Sequence, residues 1–146
     1  MIIRETWLQD NIPDQAVELA CHTIYRTDHI ADSGKLKGEG VYVYVNNSWC
    51  TDSTVIERHC SPDLEFLMIK CRPFYLPREI PAAFTVAVYV HPRANAKLVM
   101  DSLYDAISKQ LNKYPDCVFI AAGDFNHSNL DYFTEILQEC PRFNQK

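Results

Sequence analysis

The chain lacks several features that would assign it to a class at once. Its 146 residues include only four glycines, and its six cysteines form no Cys-x-x-Cys pair. That spacing excludes a zinc ribbon and gives no disulfide framework. We expect no signal peptide, and no apolar run approaches the length of a membrane span. We therefore expect an intracellular protein, nuclear or cytoplasmic, with reduced core thiols and no membrane partner.

Basic residues are also scarce, since there is no Lys/Arg run and the net charge is −5. A nucleic-acid-binding protein usually carries a basic surface, so this charge argues against tight autonomous binding of DNA. A metal-dependent phosphodiesterase tolerates acidity better, because the cation neutralises its carboxylates. The composition, 47% hydrophobic and 23% charged, is that of a globular protein. The length fits a single domain over residues 1–146.

Runs of β-branched and aromatic residues predict several strands in the middle of the chain, with helices towards its end. The expected strands are Met1–Thr6, Thr23–Tyr25, Val41–Val45, Thr54–Arg58, Leu64–Cys71, Phe84–Val90 and Asp116–Ala122. A helical turn could form within Ile12–Ala20. Helices are expected at Ala94–Asn112 and Asn129–Gln138, and irregular connections at residues 31–40 and at Arg72–Ala82. This order predicts an α+β layered protein.

The strongest helix signal lies in Ala94–Asn112. Leu98, Leu103, Ile107 and Leu111 recur there at nearly helical spacing.

The segment Gly123–Leu130 is the most informative stretch, because it follows an apolar strand and carries Asp124 and Asn126 two residues apart. Side chains of a strand alternate between faces, so these two are expected to point the same way. The carboxylate could hold a hard cation or an attacking water, and the carboxamide could orient a phosphate oxygen. Gly123 would let a backbone or a ligand come close. Equally, Asp124 or Asn126 could merely cap the following helix, and these residues alone leave both interpretations open.

Four segments, of which this motif is the last, occur in a fixed order along the chain. They are Glu5–Leu8, the glycine loop Ser33–Val41, Val88–Pro92 and Gly123–Asn126. In that order they resemble the endonuclease/exonuclease/phosphatase superfamily, and they are most similar to the apurinic-type endonuclease domain of LINE-type retrotransposons, particularly those abundant in fish genomes. Asn46–Asp52 and Cys60–Leu67 also resemble that group. The resemblance covers nearly the whole chain, from Glu5 to about Leu130.

The resemblance implies a fold and an activity. The fold would be a partial four-layer α/β-sandwich of the DNase I-like kind, with two packed sheets flanked by helices. The activity would be hydrolysis of DNA phosphodiester bonds with Mg²⁺, or with Mn²⁺ in its place. Glu5 would be the metal ligand, and Asp124 would orient or activate the water. Asn126 would hold the phosphate or the nucleophile, and Tyr89 would contact the phosphate or the leaving group.

Each of these residues also has a purely structural interpretation. Glu5 could be an exposed strand-end glutamate, and Tyr89 an ordinary strand tyrosine. His91 and His127 lie beside motif positions, but their spacing identifies neither as a catalytic base. If the site exists, Glu5 and Asp124 should lie at the same end of one sheet.

The chain departs from the family in three respects. Glu39 stands where the family often shows a third glycine, which would weaken any phosphate contact of the Ser33–Gly40 loop. The family has an asparagine on a first strand, and only four residues precede Glu5 here. The family also ends in an Asp-His pair, and no histidine follows His127. We therefore expect a domain without the family's first strand and final segment, and turnover reduced by many orders of magnitude.

Two classes of function follow from these observations. The first is a magnesium-dependent nuclease-fold domain that acts on DNA, with weak or absent turnover. The second is a non-catalytic remnant of a retrotransposon, or a module that binds a protein partner at exposed sheet edges. An unrelated α+β binding protein would require the ordered motifs to coincide by chance.

Overall fold

The computed structural model describes residues 2–4, 12–27, 40–126 and 128. These contain the strands β1 (Ile2–Arg4), β2 (His22–Thr27), β3 (Val41–Asn46), β4 (Asp52–Cys60), β5 (Leu64–Arg72), β6 (Ala83–Val90) and β7 (Val118–Asp124). They also contain a short 3₁₀ helix, Asp14–Ala16, and one α-helix, α1 (Ala96–Lys113).

The strands form two sheets. The first has the order β1-β3-β2 and the second the order β4-β5-β6-β7. Neighbouring strands are antiparallel except for β6 and β7, which run parallel and are connected by α1. A parallel pair needs a crossover of this kind, because its two strands start at the same edge of the sheet.

Both faces of β5 and β6 are buried, which explains the near-continuous apolar sequence of these two strands. Phe66 and Met68 on β5 face α1, whereas Leu67 and Ile69 face the first sheet. The helix face includes Val86, Val88, Val99, Met100, Leu103 and Ile107, and the sheet–sheet face includes Val41, Val43, Val45 and Ala87. Two separate apolar clusters therefore hold three layers together.

Segment 12–20 contacts the outer face of the first sheet. The Tyr44 hydroxyl donates a hydrogen bond to the backbone oxygen of Val17, at 2.7 Å. The Arg26 guanidinium lies 3.0 Å from the carboxylate of Asp14. Both side chains come from strand positions that alternate with those facing the sheet–sheet cluster, so they reach outwards.

The sequence-based expectations for fold class are confirmed. The molecule is a layered α/β sandwich, and each strand expected in the described residues is present, most of them longer than expected. The short strand expected at Thr23–Tyr25 extends over His22–Thr27, because all six residues pair with β3. The helix expected at Asn129–Gln138 lies outside the described residues, as does the 31–40 loop apart from Gly40.

The helix expected at Ala94–Asn112 is present, but one of its four regularly spaced apolar residues is not buried. Leu98 is 65% exposed, whereas Leu103, Ile107 and Leu111 are buried. Leu98 and Leu103 are five residues apart, which separates them by about 140° around a helix that turns about 100° per residue. The first turn instead buries its next residue, Val99.

Two of the cysteines are core residues. Cys50 is 0% exposed and Cys71 is 1% exposed, and both belong to the sheet–sheet cluster. Burial, followed by the neighbouring Cys50 thiol, raises the pKa of Cys71 to about 12. A thiol that stays protonated is a poor nucleophile, so Cys71 acts as a small hydrophobic residue. The cysteines of the described part of the chain are all free thiols. Unlike Cys50 and Cys71, Cys21 is exposed.

No helix among the described residues is both long and apolar enough to span a bilayer.

The two leucines of α1 provide a direct test of the packing. Leu103→Ala should lower the free energy of unfolding by about 2–5 kcal/mol, because it leaves a cavity in a buried cluster. Leu98→Ala is the matched control and should change it by less than about 0.5 kcal/mol, because this side chain is largely in solvent. Urea unfolding followed by circular dichroism measures both. Equal losses would contradict the assigned helix face.

Candidate functional site

The candidate site lies at the sheet edge where the parallel strands β6 and β7 end. Tyr89 pairs with Asp124 in the register of these strands, one row after the pair Val88 and Gly123. β6 ends at Val90 and β7 at Asp124. Since both carboxyl ends meet at one edge, polar residues at these positions are brought close together.

Asp124 closes β7 and begins a tight turn. One of its carboxylate oxygens, Oδ1, accepts a hydrogen bond from the backbone N–H of Asn126 at 3.0 Å. Asn126 has a φ of 46°, in the left-handed region that asparagine tolerates better than most residues. We expected strand alternation to point the side chains of Asp124 and Asn126 in the same direction. That reason is wrong, because the strand ends at Asp124.

The Asn126 side chain is instead oriented by β6. Its amide nitrogen Nδ2 donates a hydrogen bond to the backbone oxygen of Val90, the last residue of β6. The turn after β7 is thereby fixed to the end of the neighbouring strand. None of the described residues donates to the Asn126 Oδ1, so this oxygen is an acceptor at the same edge as Asp124.

Gly123 permits the close approach of β7 to β6. Its φ is 151°, and a Cβ built at this position would lie 1.9 Å from the backbone oxygen of Val88. No side chain fits that distance. The expectation that a glycine is needed here for a backbone to come close is confirmed.

Tyr89 is a core residue as well as a neighbour of Asp124. It is 5% exposed and belongs to the sheet–sheet cluster. Most of the ring therefore has the ordinary packing role of a strand tyrosine. Tyr89 also pairs with Asp124. Contact between its hydroxyl group and a bound phosphate stays a prediction.

Glu5 lies outside the described residues, and only the strand before it is placed. β1 belongs to the first sheet and β7 to the second, and the two strands contact each other. The expectation of one shared sheet is therefore wrong for these strands, which face each other across the sandwich. The metal-ligand role of Glu5 stays a prediction.

Of the two histidines near the motifs, His91 is among the described residues. The His91 Nδ1 accepts the backbone N–H of Arg93 at 3.1 Å, so this ring helps to form the turn before α1. His127 lies outside the described residues.

The described residues contain no enclosed site for a metal ion. No group of three or more His, Cys, Asp or Glu side chains in this part of the chain could hold a metal ion. Magnesium commonly keeps several waters and uses one or two carboxylates. Asp124, partly exposed at the sheet edge, suits one such ligand position.

Sequence reasoning missed one acidic residue near the site. Glu65 pairs with Tyr89 on the opposite side from Asp124, and it is only 2% exposed. The signal was present in β5, where alternate residues from Leu67 onwards on the same face are apolar. Glu65 is the first residue of β5 on this face, and strand periodicity can reveal a carboxylate there as an exception.

The described layers, two face-to-face sheets with α1 outside the second, define a DNase I-like α/β sandwich. Among solved structures, the chain is similar to truncated TDP2 from Caenorhabditis elegans, with a TM-score of 0.54 and 12% sequence identity. The match covers 86% of this chain and 48% of that one, so the chain spans about half the length of this neighbour. A likeness at this identity shows the fold alone.

No protein-family model matches the sequence, and no curated protein matches it significantly.

The close contact at Gly123 gives a prediction about the site's framework. Gly123→Ala should lower the free energy of unfolding by about 2–5 kcal/mol, because the methyl group meets the Val88 backbone and φ is unfavourable. Ala122→Gly is the control at the adjacent position and should cost about 1 kcal/mol or less. Urea unfolding compares the two variants. A Gly123→Ala protein as stable as the parent would contradict the described pairing of β6 and β7.

Proposed function

We propose that the chain is an endonuclease/exonuclease/phosphatase-type domain of LINE-retrotransposon type that binds Mg²⁺ and a DNA phosphodiester where β6 and β7 end. The observation that supports this most is the position of Asp124, Asn126 and Tyr89 at one sheet edge of a DNase I-like fold. These are the residues that the sequence resemblance assigns to the site. They come from two strands separated by a whole helix, so their proximity is not a consequence of local sequence.

Each residue has a distinct part in the proposed site. Asp124 presents a carboxylate oxygen to a hydrated cation or to the attacking water. Asn126 offers its carboxamide to a phosphate oxygen while its Nδ2 stays fixed to Val90. Tyr89 contributes a hydroxyl group beside Asp124, and Glu5 supplies a second carboxylate. Mg²⁺ would neutralise the phosphate charge when bound.

A second candidate function, binding of a protein partner by a non-catalytic remnant, is supported by the exposed face of β7. Val118 is 39% exposed and Ile120 is 51% exposed, on the outermost described strand of the second sheet. No charged residue precedes Asp124 in this strand. Apolar edge strands without charges readily pair with a further strand.

Cation binding tests the proposed site. We expect Mn²⁺ or Mg²⁺ to bind weakly, in the millimolar range, because few carboxylates are present and the ion keeps most of its water. Asp124→Asn and Glu5→Gln should each abolish the binding measured by isothermal titration calorimetry. Asp116→Asn is the matched control, since Asp116 is exposed at the opposite end of β7. Parent-like affinity in Glu5→Gln or Asp124→Asn would refute the assignment of that residue.

Turnover is a separate question. We expect the purified chain with Mg²⁺ to nick neither plasmid DNA nor abasic DNA above the level of an Asp124→Ala control. The reason is that the family's hydrolysis depends on a histidine of an Asp-His pair, and no histidine follows His127 in this sequence. Nicking that requires metal and disappears in Asp124→Ala would establish an active enzyme instead. Cation binding without nicking would fit the proposed site with little turnover.

A further inference from the structure

A row of four side chains crosses the second sheet at the candidate site. Cys60 on β4 pairs with Glu65 on β5, Glu65 pairs with Tyr89 on β6, and Tyr89 pairs with Asp124 on β7. Directly paired residues project from the same face of a sheet, and neighbouring strands are about 4.8 Å apart. Tyr89 therefore stands between two carboxylate residues.

The burial of Glu65 is unusual for its residue type. It is 2% exposed, and the next residues on the same face of β5, Leu67 and Ile69, are both 0% exposed. A buried carboxylate is costly compared with an apolar side chain of similar size, unless polar neighbours compensate for the lost hydration. Packing alone would favour an apolar residue at this position.

We propose that Glu65 is a positioning residue of the site, which holds the Tyr89 hydroxyl in place for a phosphate bound beside Asp124. The inference rests on the proposed function. A buried tyrosine hydroxyl needs a polar partner, and a carboxylate is a strong acceptor for it. Glu65 is the row neighbour of Tyr89 on one side, while Asp124 on the other side is already engaged by the turn of Asn126.

A positioning role and a purely structural role predict different effects of substitution on stability and on ligand affinity. A structural carboxylate would affect the stability of the fold, with no specific effect on ligand affinity. A positioning carboxylate acts on the ligand through Tyr89, so removing either group should remove the same contribution to affinity. Stability and affinity can therefore change in opposite directions.

The test is a double-mutant cycle with Glu65→Gln and Tyr89→Phe. The probe is thymidine 5′-monophosphate with Mg²⁺, and its dissociation constant is measured by calorimetry together with the urea midpoint of each protein. Each single variant should bind the nucleotide about five- to tenfold more weakly, on the scale of one lost hydrogen bond. The double variant should bind no more weakly than either single variant.

A second substitution separates the two roles and does not depend on Glu65→Gln folding. Glu65→Met places an apolar side chain of similar length in the buried position. It should leave the urea midpoint unchanged or raise it, because a buried carboxylate is replaced by a packing residue. It should still weaken nucleotide binding. Glu57→Gln is the matched control, since Glu57 pairs with Met68 and lies on the helix-facing side of the same sheet.

The possible outcomes are distinct. Unchanged nucleotide affinity in Glu65→Met or Glu65→Gln, with affinity lost in Asp124→Asn, would overturn the role of Glu65 alone. Additive losses in the cycle would show that Glu65 does not act through Tyr89, which also overturns it. A parent protein that binds no nucleotide with Mg²⁺ would overturn the proposed function, and this inference with it.

Discussion

The parallel pairing of β6 with β7 is the constraint on which the candidate site depends. It requires Gly123, whose missing side chain makes room for the backbone of Val88. With that contact in place, Tyr89 and Asp124 fall into one row and the two strands end together. Without it, β7 would have no register against the sheet, and the acidic turn would have no fixed position relative to Tyr89.

The helix α1 makes this parallel pair possible and stabilises it. It returns the chain to the edge where β6 started, and it covers the face formed by Val86, Val88 and Phe66. The opposite face of the same strands packs on β3, so β5 and β6 are buried on both sides. β7 is the exception, since Val118 and Ile120 stay exposed on the face that is covered in β5 and β6. The site thus lies between the buried core and the outermost described strand of the second sheet.

Among the described residues, this edge has few polar groups, and most of them already form hydrogen bonds within the protein. Asp124 and Asn126 form their own turn, and Asn126 is bonded to Val90. The fixed turn gives rigid positions to a carboxylate oxygen and an amide oxygen, as a site for a hydrated cation and a phosphate requires. Glu65 adds a carboxylate that lies inside the sandwich, next to Tyr89.

The sequence by itself determined the elements, because strand and helix periodicity follow from which side chains must be buried. It located β3, β5, β6 and α1, and it selected the Gly123–Asn126 motif as a strand-end turn. Apolar spacing alone did not reveal that Leu98 is exposed, because Leu98 and Leu103 are five residues apart and lie on different faces of the helix. Only the tertiary structure decided the pairings between distant residues, namely that β1 lies in the other sheet from β7, that Asn126 bonds to Val90, and that Glu65 is the neighbour of Tyr89. These contacts depend on strand order and register, which local residue patterns do not encode.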